Sequence, residues 1–278
     1  MRKTLTVGIA AGALIALAGI TPAAADDHTA QLSVFHGVPG LAVDVYVNGD
    51  LTLDNFEPGD LAGPLDLPAD TYSVAITAAD AADASDPAIG PVDLVLAAGG
   101  NYTAVAHLDA AGEPTATLYD NDITTLGAGD GRLTVRHVAA APAVDVLAGG
   151  SPVIENLVNP AESVLTLPAG IVSASVAATG TTDPVIGPAD VNVAEGVNTI
   201  VYAWGSLEDS NLALGVQTIE GLHSNPDSIP AGSAGLAATN QPFAGTGVWL
   251  GGSALLLMLG LAVTIGVRTR RNASTLGS

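Results

Sequence analysis

The sequence predicts an all-β exported protein: two tandem immunoglobulin-like antiparallel β-sandwiches, plus one C-terminal transmembrane helix. Three observations carry this expectation. A block of about 100 residues recurs, both copies alternate with period two, and an apolar segment lies near each end of the 278-residue chain.

The leader comes first. Residues 1–25 read as a basic start (Arg2, Lys3), an apolar run from Leu5 to Ile20 and a small-residue exit at Ala23, Ala24 and Ala25. This is the layout of a secretory signal peptide, and it predicts a mature chain beginning at Asp26 outside the cytoplasm. Export gives meaning to the absence of cysteine, because the mature protein has to be stable without disulfides.

The repeat fills the middle of the chain. LSVFHGVPGLAVDVYV, from Leu32, aligns with LTVRHVAAAPAVDVLA, from Leu133, at an offset of 101 with seven identities in sixteen. DPAIGPVD, from Asp86, aligns with DPVIGPAD, from Asp183, at an offset of 97 with six in eight, and LPADTYSV and LPAGIVSA fall between them. Preserved order with small indels predicts two modules, 27–127 and 131–221, joined by the short hinge LGAGDG.

Within a module, Val43, Val45 and Val47 share one side of a strand and Asp44 and Tyr46 the other; Tyr72, Val74 and Ile76 repeat the pattern. Strands are expected at about 31–36, 42–47, 51–54, 71–78, 91–97, 101–108 and 114–120, punctuated by Asn48-Gly49 and Pro58-Gly59. Seven short strands in about 100 residues predict an immunoglobulin-like sandwich. LAAGGNY, 96–102, has the spacing of a tyrosine corner, whereas the second copy keeps Val193 and Gly196 but has Thr199 in place of Tyr.

After the modules come a stalk rich in Pro, Gly and Ser (222–247), a charge-free span (248–267) and a basic tail (268–278). Twenty residues at about 1.5 Å each cross a hydrocarbon layer of about 30 Å, so the span reads as a membrane helix. Arg268, Arg270 and Arg271 predict a cytoplasmic tail. LAATNQPFAGTG, 236–247, resembles a cell-wall sorting signal of Gram-positive bacteria: Leu236, Ala237 and Thr239 match its LAxTG form, and Asn240 stands where that family has Gly.

Charge narrows the partners. All 28 acids lie between Asp26 and Asp227, where the only bases other than histidine are Arg132 and Arg136, a formal net of −26. Such a body repels DNA, RNA and anionic lipid, so no nucleic-acid partner is expected.

HGVPGLAVDVYVNG, 36–49, resembles the opening signature of the bacterial domain of unknown function 4397 family, through His36, Pro39, Ala42, Val43, Asp44, Val45, Tyr46, Val47 and Gly49. The second copy matches at His137, Pro142, Ala143, Val144, Asp145 and Val146 and lacks the Tyr. The resemblance implies an exported, wall- or membrane-associated sandwich and supplies no catalytic chemistry.

The nearest approach to a chemical constellation is His36 with Asp44, repeated as His137 with Asp145 at the same separation. Such pairs serve as metal ligands or as an acid and base, but no third ligand or nucleophile repeats with them. The expected roles are a backbone hydrogen bond for each His and a turn or solvent-facing position for each Asp. His107 is replaced by Trp204 in the second copy and belongs to no shared site. Asp80, Asp83 and Asp86 in DAADASD have the composition of a calcium loop without its spacing and read as solvated surface.

No catalytic, cofactor-binding or metal-binding residue is therefore assigned, no cofactor is expected, and the protein is not read as an enzyme. The expected function is that of a single-pass surface protein, held in the cell membrane or the wall with its modules outside. These modules act as spacers or binding and adhesion domains for an envelope or extracellular ligand. The alternatives are an envelope hydrolase using the His-Asp pairs and a calcium-dependent glycan-binding protein.

Overall fold

The computed structural model describes residues 28–224. The leader, the membrane span, the basic tail, the sorting-signal motif and the stalk from residue 225 onward lie outside the described residues. Within them the chain is all-β, and no helix is long and apolar enough to cross a membrane.

Eight strands form the first sandwich: β1 (Thr29–Gly37), β2 (Val43–Val47), β3 (Asp50–Phe56), β4 (Leu61–Pro68), β5 (Thr71–Ala78), β6 (Ile89–Val95), β7 (Asn101–Leu108) and β8 (Pro114–Asp120). Eight more form the second: β9 (Asp130–Ala140), β10 (Val144–Ala148), β11 (Ser151–Leu157), β12 (Glu162–Pro168), β13 (Gly170–Ala178), β14 (Pro184–Val193), β15 (Asn198–Ser206) and β16 (Ala213–Ile219). The first pairs a sheet β4-β1-β7-β8 with a sheet β3-β2-β5-β6, and the second repeats that order as β12-β9-β15-β16 and β11-β10-β13-β14. β1 and β7 run parallel, as do β9 and β15; every other pairing is antiparallel.

This order corrects the immunoglobulin-like expectation. An immunoglobulin sandwich keeps its first two strands in one sheet, ABED against CFG. Here β1 and β2 lie in opposite sheets, because the GVPGLA segment with Gly40 at φ 77° carries the chain across the core instead of closing a hairpin.

The eighth strand is β4, where the sequence predicts a loop. LAGPLDLP looks like a turn because Pro64 has no N–H to donate, but β4 is an edge strand, where that loss is tolerated. Gly63 sits at φ 100° beside the register shift between Leu32 and Val34, and a Cβ there would lie 2.7 Å from the Leu32 carbonyl oxygen.

Alternating side chains fill each interior. Val43, Val45, Ile76 and Leu94 pack inside the first sandwich, and Val144, Val146, Val176 and Val201 inside the second. The central strands are buried on both faces, as in β7, where all eight residues are buried. Their second face meets the other sandwich in a cluster of Phe35, Val105, Tyr119, Val138, Ile200 and Tyr202. The two sandwiches therefore lie side by side, sheet β4-β1-β7-β8 against sheet β12-β9-β15-β16.

β1, β7, β9 and β15 all start at the same pole. There Asn198 Nδ2 and an Arg132 amino group donate to the Asp122 carbonyl at 3.2 and 2.8 Å, and the Asn121 N–H donates to the Asn101 carbonyl. At the opposite pole Asn159 Nδ2 bridges the Leu108 and Ala139 carbonyls at 2.8 and 2.7 Å, joining the sandwiches again. Both ends of the described chain sit at the first pole: Ala69 N–H bonds the His28 carbonyl, and Ser224 N–H bonds the Leu126 carbonyl.

The linker is not a free hinge, since Asn121 and Leu126 are buried and Leu126 pairs with His223. Leu222 is buried as well, so the folded part reaches beyond the stalk boundary expected at 222.

Candidate functional site

The repeated His-Asp pairs turn out to serve the fold. His36 and His137 are each 1% exposed, and their Nε2 atoms reach the Leu41 and Pro142 carbonyls at 2.8 and 3.0 Å. The rings are donors in these bonds, as expected of histidines at strand ends, while each Nδ1 is buried without a partner. Burial pulls both below the ordinary histidine range and outweighs the carbonyl contacts, so the rings stay neutral.

The aspartates are not on the solvent face. Asp44 and Asp145 are 4% and 5% exposed, and each accepts a hydrogen bond at 2.8 Å, from the N–H of Asn55 and Asn156 respectively. Those asparagines have φ of 52° and 55° where β3 and β11 slip register, so the carboxylates hold β-bulges. Asp145 also accepts from Gly180 N–H at 2.8 Å, and the two backbone donors hold its carboxyl below the usual range. Neither His bonds its Asp.

His107 is fully buried, with Nδ1 on the Leu108 carbonyl at 2.9 Å and Nε2 on Thr117 Oγ1 at 2.9 Å. Burial lowers its pKa too. Asp80, Asp83 and Asp86 are exposed; Asp83 turns its carboxylate onto Ser85 N–H at 2.9 Å. Among the described residues no three His, Cys, Asp or Glu side chains come together to hold a metal ion.

A polar cluster centred on Arg136 lies between the sandwiches. Arg136 is completely buried, and its guanidinium donates to Glu162 Oε2 at 2.8 Å, Tyr202 Oη at 2.9 Å and Asn121 Oδ1 at 2.7 Å. It lies 4.1 Å from the Tyr119 ring centroid, a cation-π contact. Tyr202 donates to Gln217 Oε1 at 2.5 Å, which also accepts from Thr103 Oγ1 at 3.1 Å, across the interface. Tyr119 donates to the Pro160 carbonyl at 2.7 Å, and burial raises the pKa of both tyrosines, so they remain protonated donors.

Arg132 pairs with Asp122 at 3.2 Å and binds the Thr124 hydroxyl at 2.8 Å. Burial pushes the Asp122 carboxyl up, but hydrogen bonds from Thr124 and the Arg132 charge outweigh it, and the net shift is downward.

Aromatic packing completes the joint. The Phe35 ring stacks on Tyr202 at 4.3 Å and meets Trp204 edge-on at 6.3 Å. Gly215 makes room, since a Cβ there would lie 2.6 Å from Phe35 Cζ. The signal for this interface was in the sequence: Arg132, Thr134, Arg136 and Val138 alternate on one face of β9, opposite the core residues Leu133 and Val135.

The tyrosine corner is present in the first sandwich, with Tyr102 Oη accepting from Ala97 N–H at 3.3 Å. In the second sandwich, a Cβ at Gly196 would meet the His223 imidazole, and Thr199 Oγ1 bonds the Asn192 carbonyl at 3.1 Å instead.

No curated protein matches the chain. Residues 30–147, nearly all of the first sandwich together with β9 and most of β10, match the family described as Domain of unknown function (DUF4397), which supports for that stretch the domain family that HGVPGLAVDVYVNG resembles.

Proposed function

We propose that the protein is an exported, anchored surface protein whose two sandwiches act as one binding head. The observation that carries the reading is the polarity of the fold. Both ends of the described chain and the linker lie at one pole. The connections 38–42, 57–60, 79–88 and 109–113 of the first sandwich, and 141–143, 158–161, 179–183 and 207–212 of the second, lie at the other. The described chain leaves from the first pole, and the second carries loops from both sandwiches on one platform.

Side-by-side packing favours a head over a spacer. Two sandwiches in line would add two lengths of reach, whereas here the pair spans about one strand length of 9 to 11 residues, roughly 30 to 36 Å. Duplication of one domain-family unit accounts for the shared strand order. The leader, the 248–267 span and the LAxTG-like motif support export followed by membrane or sortase-mediated wall attachment. A non-enzymatic role is part of the proposal, because His36, His137, Asp44 and Asp145 are bonded to backbone and Glu162 is bonded to the buried Arg136.

Protease shaving of intact cells tests the topology: it should release an acidic fragment lacking the C-terminal span. Retention of the whole chain inside protease-treated but intact cells would overturn the export reading. The chain lacks cysteine, so single cysteines at Asp83 and at Ala97 report access: on cells that bind their ligand, a bulky maleimide should label Asp83→Cys more slowly once ligand is bound, and protection at Ala97 instead would overturn the platform reading.

A further inference from the structure

The two sandwiches have the same strand order, so their outer faces can be compared position by position. On sheet β3-β2-β5-β6, Tyr46 stands in the middle of the outer face, and Asn48 Oδ1 accepts from Ser73 N–H at 2.9 Å. On the matching sheet β11-β10-β13-β14, Leu147 replaces Tyr46, Gly149 replaces Asn48 and Ser175 replaces Ala75. Two side chains shrink and one gains a hydroxyl. On that outer face lies an open recess of about 280 Å³, with the fully buried Leu147 beneath it.

Its lining is specific. Ser173, Ser175 and Thr182 supply hydroxyls, Pro184 and Pro188 supply apolar walls, and no ionisable group takes part. Ser175 is 8% exposed, and its hydroxyl has no hydrogen-bond partner among the described residues. A Cβ on Gly149 would meet nothing within 4 Å, so that side of the cavity is open. The rim is held in place: Gly180 N–H is bonded to the buried Asp145 carboxylate, which pins the turn carrying Thr182 over the sheet.

We propose that this cavity binds one neutral pyranose ring. Size selects a ligand of about one ring, since the volume is just below the range of about 300 to 1,000 Å³ of ordinary small-molecule pockets. Chemistry selects a sugar: its C–H face packs on Pro184 and Pro188, and its hydroxyls bond Ser173, Ser175 and Thr182. Charge selects neutrality, because the described surface carries acids and no exposed Lys or Arg, and an anionic ligand would be repelled. The ring is either a free sugar or the end of an envelope glycan; the chemistry at the cavity is the same. The site deepens the binding-head reading and rests on it only for where the sugar is met.

Saturation-transfer NMR on the full chain, in a zwitterionic detergent without a sugar headgroup, tests the site. The probes are the methyl glycosides of glucose and galactose, N-acetylglucosamine, chitotetraose and glucuronate. Transfer to at least one neutral monosaccharide is expected, and chitotetraose separates the sources: affinity equal to or above that of N-acetylglucosamine assigns a glycan end, lower affinity a free sugar. Leu147→Tyr with Gly149→Asn restores the residues of the first sandwich. Gly149 has φ 58° and Asn48 φ 52°, so the asparagine fits the backbone. This variant should bind at least tenfold more weakly, and Ser175→Ala, which barely alters packing, at least threefold more weakly with an unchanged melting curve.

No transfer to any neutral probe, equal binding by Ser175→Ala and the parent, or preference for glucuronate would overturn the proposal. Binding is read on purified protein and topology on cells, so failure of one is distinct from failure of the other.

Discussion

Replacing Arg136 by alanine should uncouple the two sandwiches. The guanidinium is fully buried and makes three hydrogen bonds, only one of them to a carboxylate. The Glu162 side chain is 30% exposed, so water takes up part of its charge once the arginine is gone, and that contact is worth about 1 kcal/mol. Tyr202 and Asn121 are buried, and losing charge-assisted bonds to them costs about 1.5 to 3 kcal/mol each before relaxation. The terms overlap, so the expected loss is about 3 to 5 kcal/mol, most of it from the buried Tyr202 and Asn121 bonds.

Urea unfolding followed by circular dichroism measures it. With a slope of about 2 to 3 kcal/mol per molar, the midpoint should fall by about 1 to 2 M, and one transition should split into two. Glu162→Gln, which leaves the fork on Tyr202 and Asn121, should cost less than about 1.5 kcal/mol. A midpoint shift below about 0.3 M for Arg136→Ala, or equal losses for the two variants, would refute the argument that the buried fork joins the sandwiches.

Three further outcomes are expected. Gly215→Ala drives a methyl group to 2.6 Å from Phe35 and should destabilise the protein by about 1 to 3 kcal/mol, read as a fall in melting temperature that Phe35→Leu partly restores. The neutral buried histidines 36, 107 and 137 have folded pKa values below the unfolded value near 6.5. Their contribution is thus complete above that pH and is lost as the pH falls, with a slope of up to about 1.4 kcal/mol per pH unit for each. Denaturation in 1 M sodium chloride from pH 7.5 to 5 measures this slope, and a flat profile would contradict the burial argument. Calcium should add no stability in 1 M sodium chloride, because Asp80, Asp83 and Asp86 do not converge; a rise of several degrees removed by changing all three to Asn would overturn that reading.

Much of the architecture was legible because period two and a repeat are local signals. The alternation at Val43, Val45 and Val47 gives β2, and LAAGGNY gives the Tyr102 corner, without reference to anything distant in the chain. β4 escaped because Gly63 and Pro64 are turn residues everywhere except on an edge strand, and edge status is a tertiary fact. The interface escaped for a related reason. Asn101-Tyr-Thr-Ala-Val-Ala-His-Leu108 can be divided into a core face and a second face, but only the fold shows that the second face is covered. The cavity had a sequence signal, the three unequal positions 46/147, 48/149 and 75/175. Seeing that they share an outer face requires the strand register.

The placement of the two arginines follows from the charge. Two bodies rich in carboxylates repel one another, and packing them side by side in water of low salt is opposed by that repulsion. Between Asp26 and Asp227 the chain has only Arg132 and Arg136 as permanent cations, and both are buried at the contact between the sandwiches. Arg132 faces Asp122 and Arg136 faces Glu162, so the ion pairs at the joint are locally neutral while the exterior remains anionic. Salt should then act on the two regions differently. Screening, with a Debye length that shortens from about 10 Å at 0.1 M to about 3 Å at 1 M, relieves the repulsion between exposed carboxylates, while Asp122 and Glu162, 39% and 30% exposed, lose only part of their attraction to the buried arginines. The side-by-side arrangement is therefore one that salt strengthens, because its repulsive charges are outside and each attractive pair has its arginine buried.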